Sequence, residues 1–400
     1  MARRPAIPRT VWALGWVSLW MDVSSELVHS LLPLLLVGGL GASTLMLGLL
    51  EGVAEASALL VKIFSGALSD FWGRRKGLLL FGYGLAALSK PLFPLAQSVT
   101  TVFVARLLDR FGKGMRGAPR DAMVAEVTAV EIRGAAFGLR QSMDTVGAFL
   151  GPLLAVGLML LFADDIRRVL WLAVIPAAVA VAVIAFAVQE APGEAKPARA
   201  WRSPLHWRQL GAFSRSYWYL MLVAATLTLA RFSEAFLLLR AQQLGLADRY
   251  VPLVLVLMSL AYTLTAYPAG RLSDRLPRSV LLSASLPVLI AADLLLASAH
   301  SLSTLAMGIV LWGLHMGLSQ GVVAAMVADY APKAAKGTAF GCFGLVTGLA
   351  TLLASVLAGL LWQDLGSAAT FGAGALFAGL ALALLLAGRQ RWLPSPAVSV

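Results

Sequence analysis

Gly66-Ala67-Leu68-Ser69-Asp70 returns 204 residues later as Gly270-Arg271-Leu272-Ser273-Asp274. Ala122-Met123-Val124-Ala125-Glu126 returns as Ala325-Met326-Val327-Ala328-Asp329, and Arg133-Gly134-Ala135-Ala136-Phe137-Gly138 as Lys336-Gly337-Thr338-Ala339-Phe340-Gly341, both at an offset of 203. Three matches in one register across 400 residues mark a duplicated unit of about 200 residues.

Composition says where that unit lives. The chain is 59% hydrophobic and 13% charged, with a mean hydropathy of +0.82, against about 45–50% apolar and 25% charged in soluble domains. A duplicated chain this apolar points to a two-halved membrane transporter. Cys342 is the single cysteine, so no intrachain disulfide and no cysteine zinc site is expected. Arg3, Arg4 and Arg9 precede an apolar run reaching Leu36, which is too long for a signal peptide and reads as an uncleaved first span. The formal charge of +12 is topological. Arg74, Arg75, Lys76, Arg133, Arg202, Arg208, Arg271, Arg278, Lys336 and Arg389 fall in alternate loops and termini, whereas Arg167, Arg168 and Arg249 fall in the opposite set. The positive-inside rule then puts both termini in the cytoplasm of a prokaryotic inner membrane, and nucleic acid is not expected as a partner.

Apolar runs long enough to cross about 30 Å of hydrocarbon can be drawn over 10–38, 44–69, 77–97, 100–125, 134–162, 169–189, 216–240, 251–270, 280–299, 304–328, 337–363 and 368–388. None alternates as a membrane barrel strand must, so the spans are predicted to be helices. Between the sixth and seventh, Pro192, Gly193, Pro197 and Pro204 stand among scattered charges and read as a linker. The expectation is an all-α membrane protein of 12 transmembrane helices in two pseudo-symmetric six-helix halves, 1–189 and 216–400, joined by a cytoplasmic linker at 190–215.

Several stretches then carry a resemblance. The loop after the second span reads Gly66-Ala67-Leu68-Ser69-Asp70-Phe71-Trp72-Gly73-Arg74-Arg75-Lys76. Over essentially its whole length the chain resembles the major facilitator superfamily, whose loop motif this matches except for Phe71 where a basic residue is usual. Gly66 permits close helix contact, Asp70 can face a helix N-terminus, and Arg74 and Arg75 can pair with acids such as Glu126. The copy carries Pro277 where the second glycine would stand, which weakens the second gate. Gly138, Gly147, Gly151 and Pro152 have the spacing of the superfamily's antiporter motif in helix 5, with Ala155-Val156 replacing its final glycine pair. A glycine-rich packing helix is the alternative for that stretch. Leu107-Leu108-Asp109-Arg110-Phe111-Gly112-Lys113-Gly114-Met115-Arg116 resembles the superfamily's helix 4 motif, Arg110 matching its embedded arginine. Together with Ser24-Ser25-Glu26, these residues look like a widespread prokaryotic branch of permeases with unassigned substrates.

The embedded charges are concentrated in the first half. Arg106, Asp109, Arg110, Lys113, Arg116, Arg120 and Asp121 form one stripe of helix 4. Helix 1 carries Asp22, Glu26 and His29, helix 2 Glu51, Glu55 and Lys62, helix 3 Lys90, and helix 5 Arg140 and Asp144. The second half has Arg231, Glu234, Arg240, Asp293 and His315, with Tyr262, Tyr267 and Trp312 expected to shape a cavity. Charges in a bilayer must face a protein interior or a wet cavity. Proton coupling is therefore expected at Asp22, Glu26, Glu55, Arg110 and Asp144, and substrate binding at Arg110, Lys113, Arg140, His29, Arg231 and Glu234. Gating is expected at Gly66, Asp70, Gly73, Arg74, Arg75, Glu126, Gly270 and Asp274. Structural ion pairs that never titrate are the competing reading of the same charges. No phosphate-binding loop, nucleophile arrangement or metal cluster is visible, so no enzyme activity, cofactor or metal is expected. The predicted protein is a monomeric, proton-coupled exporter of a small organic solute or drug; the alternative is a proton-symport importer of an anionic metabolite or metal chelate.

Overall fold

The structure is a computed structural model describing residues 6–72, 75–190, 211, 213–273, 276–319, 321–331 and 336–388. The described residues form helices joined by short turns, with no strand among them. In chain order these are α1 (Arg9–Gly39), α2 (Thr44–Trp72), α3 (Arg75–Leu95), α4 (Val99–Val127), α5 (Val130–Leu161), α6 (Ile166–Ala187), α7 (Arg215–Leu229 and Ala235–Gln243), α8 (Leu253–Ser273), α9 (Arg278–Ala297), α10 (Leu302–Ser319 and Val322–Tyr330), α11 (Lys336–Leu365) and α12 (Ser367–Ala387). Ten of them are long and apolar enough to cross a membrane. The other two are α4, which carries the charged stripe, and α7, whose pieces of 15 and 9 residues are each shorter than the roughly 20 residues a bilayer needs.

Local chemistry sets several ends. Ser98, Asp165 and Ser214 accept the backbone N–H of Thr101, Arg168 and Tyr217 at the starts of α4, α6 and α7. Several expected continuous spans are interrupted, α3 by a turn at Lys90 and Pro91 and α6 by one at Ala173. In α7 the chain leaves the helix at Ala230 and re-enters at Ala235, where the Ser233 hydroxyl accepts the Ala235 N–H at 3.3 Å. In α10 the break falls at Gly321, whose φ of +82° suits glycine.

Packing repeats the duplication seen in the sequence. Helix α1 packs on α5 and α6, α2 on α4, and α3 on α4 and α6; six helices on, α7 packs on α11 and α12, α8 on α10, and α9 on α10 and α12. The contacts between the two sets repeat likewise, α2 meeting α11 and α5 meeting α8. Glycines allow the close approaches, since a Cβ at Gly112 of α4 would lie 2.5 Å from the Gly82 carbonyl of α3, and one at Gly313 of α10 would lie 2.4 Å from the Met258 carbonyl of α8. In a bilayer, where no hydrophobic force drives helices together, such contact supplies the association.

Candidate functional site: a charged cavity between two sets of helices

Helix α1 lies against α5 because α5 presents glycine there. A Cβ at Gly147 would stand 2.6 Å from the Leu19 carbonyl and 3.0 Å from the Asp22 Cβ; at Gly151 it would stand 2.8 Å from the Val23 carbonyl and 2.9 Å from the Glu26 Cβ. The α1 carboxylates therefore sit along this seam. Gly138, by contrast, has no atom within 4 Å of its Cβ direction, so only part of that motif makes the contact, while Pro152 continues the helix one residue beyond Gly151.

Asp22 and Glu26 open onto a cavity of about 480 Å³ between the two sets of helices, shared with Glu55, Lys62, Lys113, Arg116, Arg120 and Asp144 from the first set and Glu234, Met258 and Tyr262 from the second. A neighbouring cavity of about 350 Å³ shares Glu26, Glu55, Lys113 and Glu234, and adds His29, Glu51, Arg110, Arg231, Phe232 and Ser355. Behind these walls, α4 anchors a buried network. Lys90 Nζ donates to Asp109 at 2.8 Å and to Ser25 at 3.0 Å, Arg106 donates to Glu51 at 2.9 Å, and Arg110 Nε stands 3.1 Å from Glu55. His29 bridges the carboxylates, Nδ1 lying 3.3 Å from Glu26 and Nε2 3.7 Å from Glu51. The second set joins through Ser233, whose hydroxyl donates to Glu51 at 3.3 Å.

The predicted residues thus separate into two groups. Asp22, Lys113, Arg231 and Glu234 line the cavities and make no ion pair with any described residue. Glu26, His29, Glu55, Arg110 and Asp144 also reach the cavities but are already paired. Arg140 stands behind the wall, its Nη1 2.5 Å from Asp144 and its Nη2 donating to Gln141. Tyr262 lines the larger cavity, but Tyr267 is 72% exposed on the outer surface and Trp312 is buried against Phe232. Five residues along a helix is about 140° around it, so one helix could not turn both tyrosines inward. Sequence reading named Glu51 and Lys90 without giving either a role, gave Ser25 none beyond its place in a motif, and passed over Ser233; a serine in an apolar span carries no pattern that marks it.

At one end of the cavity the two sets of helices close on each other. Thr44 Oγ1 donates to the Gly359 carbonyl at 3.1 Å, a Cβ at Gly48 would stand 2.1 Å from the Ser355 carbonyl, and Arg249 reaches Asp164 at 2.5 Å. Toward the opposite end the wall continues through Lys62 and Arg120, and Gly134 and Gly337 have no atom within 4 Å of where a Cβ would stand. That end carries the duplicated loop motif. Arg75 donates to both Glu126 oxygens at 2.9 Å, to Ser69 at 2.9 Å and to Asp70 at 3.3 Å. Its equivalent in the second set is Arg278, which pairs with Asp329 and donates to the Ala325 carbonyl at 3.2 Å. The offset of 203 carries Arg75 onto Arg278 and Glu126 onto Asp329, so the repeat held the signal for this second pair. Gly66 packs against Ala118 and Gly270 lines a cavity with Arg278; Gly73, Arg74 and Asp274 lie outside the described residues. Among the described residues no group of three or more His, Cys, Asp or Glu could hold a metal ion.

Known proteins resemble this chain in sequence and in fold. An uncharacterised MFS-type transporter of Methanocaldococcus jannaschii is 29% identical over 386 residues, covering 95% of each chain. Multidrug resistance protein MdtH of Photorhabdus laumondii is 29% identical over 144 residues, 36% of this chain and 35% of its own. Among solved structures, nucleoside transporter NupG superposes with a TM-score of 0.75 at 14% identity, covering 96% of this chain and 100% of its own. The human organic anion transporter MFSD10 gives 0.68 at 20% identity, covering 96% and 100%. The model of the Major Facilitator Superfamily matches residues 15–247 and 235–399. With ten membrane-length helices, a duplicated contact pattern and a charged cavity at the seam, the chain belongs to the Major Facilitator Superfamily, a family of multi-pass membrane transporters.

Proposed function

We propose that the protein exports a small organic solute across a prokaryotic inner membrane in exchange for protons, by alternating access between two six-helix halves. The observation that carries this reading is the cavity between the halves, closed at one end and lined by acids and bases of which Asp22, Lys113, Arg231 and Glu234 make no ion pair with a described residue. In this reading the opposite end, with Arg75, Lys76, Arg133 and Arg278, is the open one and, by positive-inside topology, the cytoplasmic face, so a cargo enters from the cytoplasm in this state. Asp22 and Glu26 are the carboxylates that exchange protons for cargo. They stand on the α1–α5 seam inside the first half, on the wall that faces Glu234 and Tyr262 of the second, and the charges and water that meet them there change as the halves rock. Similarity to MdtH over part of the chain supports efflux. A second reading, import of an anionic metabolite by proton symport, is favoured by Lys113 and Arg231, which line the cavities without an ion pair to any described residue.

Flux in proteoliposomes with and without an imposed pH gradient separates the two. Export by exchange predicts cargo movement opposite to the proton flow, with Asp22→Asn and Glu26→Gln abolishing the gradient-driven part while the protein stays folded. Co-directional movement would establish symport. Normal coupling in the double variant would remove both acids from the mechanism.

A further inference from the structure

The second half holds a carboxylic acid that the charged network does not reach. Asp293 of α9 is 0% exposed, and neither of its carboxyl oxygens has a hydrogen-bond partner among the described residues. It points at Gly374 of α12, where a Cβ would stand 2.7 Å from Asp293 Oδ2 and 3.1 Å from Phe232 Cε1. Carboxyl and ring therefore meet over one glycine. The same Phe232 lines the smaller cavity. It belongs to the interrupted stretch of α7 and is held by Trp312 at 5.4 Å, Phe371 at 5.5 Å and Phe236 at 5.7 Å between ring centroids.

The elements packed on α9 offer no counter-charge. His315 of α10 is committed, Nδ1 to the Ser285 carbonyl at 2.8 Å and Nε2 to the Ser319 hydroxyl at 3.4 Å. Arg240 of α7 bonds the carbonyls of Leu296, Ala297 and Ala299 at the end of α9. Helix α12 has no charged residue, α8 none before Arg271, and the second piece of α10 only Asp329, which is paired with Arg278 at the loop end. Arg231 and Glu234 line the cavities. An ionised carboxylate with no donor and no cation in an apolar site is strongly unfavourable.

We propose that Asp293 is a proton-binding site of the second half, separate from the carboxylates of α1 and α2 and closed off from the cavity by the Phe232 ring. The ring stands where α7 has no continuous helical ladder, so a rearrangement of Arg231–Glu234 moves it without unwinding a helix. When it moves, Asp293 meets cavity water and can give up or take back a proton. This site depends on neither the cargo nor the direction proposed above.

Infrared difference spectroscopy of the full-length protein in liposomes tests it without any transport assay. The expected result is a protonated-carboxyl band that is absent in Asp293→Asn, shifted in Asp293→Glu, and slow to exchange in deuterated buffer. In Phe232→Ala the same band should exchange at least about tenfold faster, as opening a local barrier predicts, and should disappear at alkaline pH. Absence of any band dependent on Asp293 overturns the proposal. So does a band that neither exchanges nor titrates in Phe232→Ala, which would make the acid a fixed filler over Gly374.

Discussion

Lys90 and Asp109 show what an apolar helix bundle demands of a charge. Their side chains are 0% and 3% exposed and 2.8 Å apart, so each answers the other's charge, with Arg110 at 3.8 Å and Arg106 at 4.0 Å also beside Asp109. Removing one partner of a buried pair costs about 3–5 kcal/mol, whereas replacing both with apolar groups is often neutral. Lys90→Met or Asp109→Leu alone should therefore sharply lower the detergent melting temperature, and the double variant should recover most of the loss; equal losses in single and double variants would contradict this. Glycines give a second contrast. Gly147→Ala drives a methyl toward the Leu19 carbonyl at 2.6 Å, an overpacking expected to cost about 1–3 kcal/mol, while Gly138→Ala enters open space and should stay within about 0.5 kcal/mol of the parent. Thermal unfolding of the two variants side by side checks the difference.

At the scale of elements, α4 and α7 depart from bland membrane spans for different reasons. Helix α4 stays helical from Val99 to Val127 in spite of Pro119 and turns most of its charges inward, where α2 and α3 answer them. Helix α7 breaks, and Ser233 mends the break twice, by accepting the Ala235 N–H and by donating to Glu51 across the seam. Ser233→Ala loses both bonds, and at about 1 kcal/mol for a typical hydrogen bond it should lower stability by roughly 1–2 kcal/mol. Because one bond joins the halves, it should also loosen the cavity end near Ser355. Hydrogen exchange at Ala235 and Phe236 measures the first effect; unchanged protection there would show that the break is held by packing alone.

For the whole molecule, the proposed transport cycle requires two states, of which we read this one as open toward the duplicated loops. We expect the alternative state to dock Asp70 against the N-terminus of α11 at Lys336 and Gly337, where unsatisfied N–H groups and the helix dipole favour an anion. In the present state Asp70 is 58% exposed and 3.3 Å from Arg75, free to make that move. A dipole contact of about 0.3–1 kcal/mol changes a two-state ratio about two- to fivefold. Asp70→Asn should shift spin-label distances across the loop ends toward the open state by that factor. At the closed end, Arg249→Gln removes the pair with Asp164 while leaving that residue's left-handed backbone, φ +67°, undisturbed. It should shift the distances the opposite way, by no more than about threefold, since the pair is partly exposed and screened. A shift in the same direction for both variants would refute the assignment of the two ends.

The membrane setting, the helical class and the duplication were legible in the chain alone, because hydropathy and a register repeated at 203 residues survive any arrangement of neighbours. So was the sharing of one stripe by the α4 charges, since helical geometry places them. Which charges are spent on one another emerged only when the helices were packed. Lys90 meets Asp109 and Arg106 meets Glu51 because Gly82, Gly112 and Gly114 let α2, α3 and α4 approach closely, and Asp22, Lys113, Arg231 and Glu234 are left over on the wall. Pairing of opposite charges depends on distances between helices, and no spacing along one chain encodes those. The break in α7 and the solitary Asp293 were hidden for the same reason, being set by what packs around them.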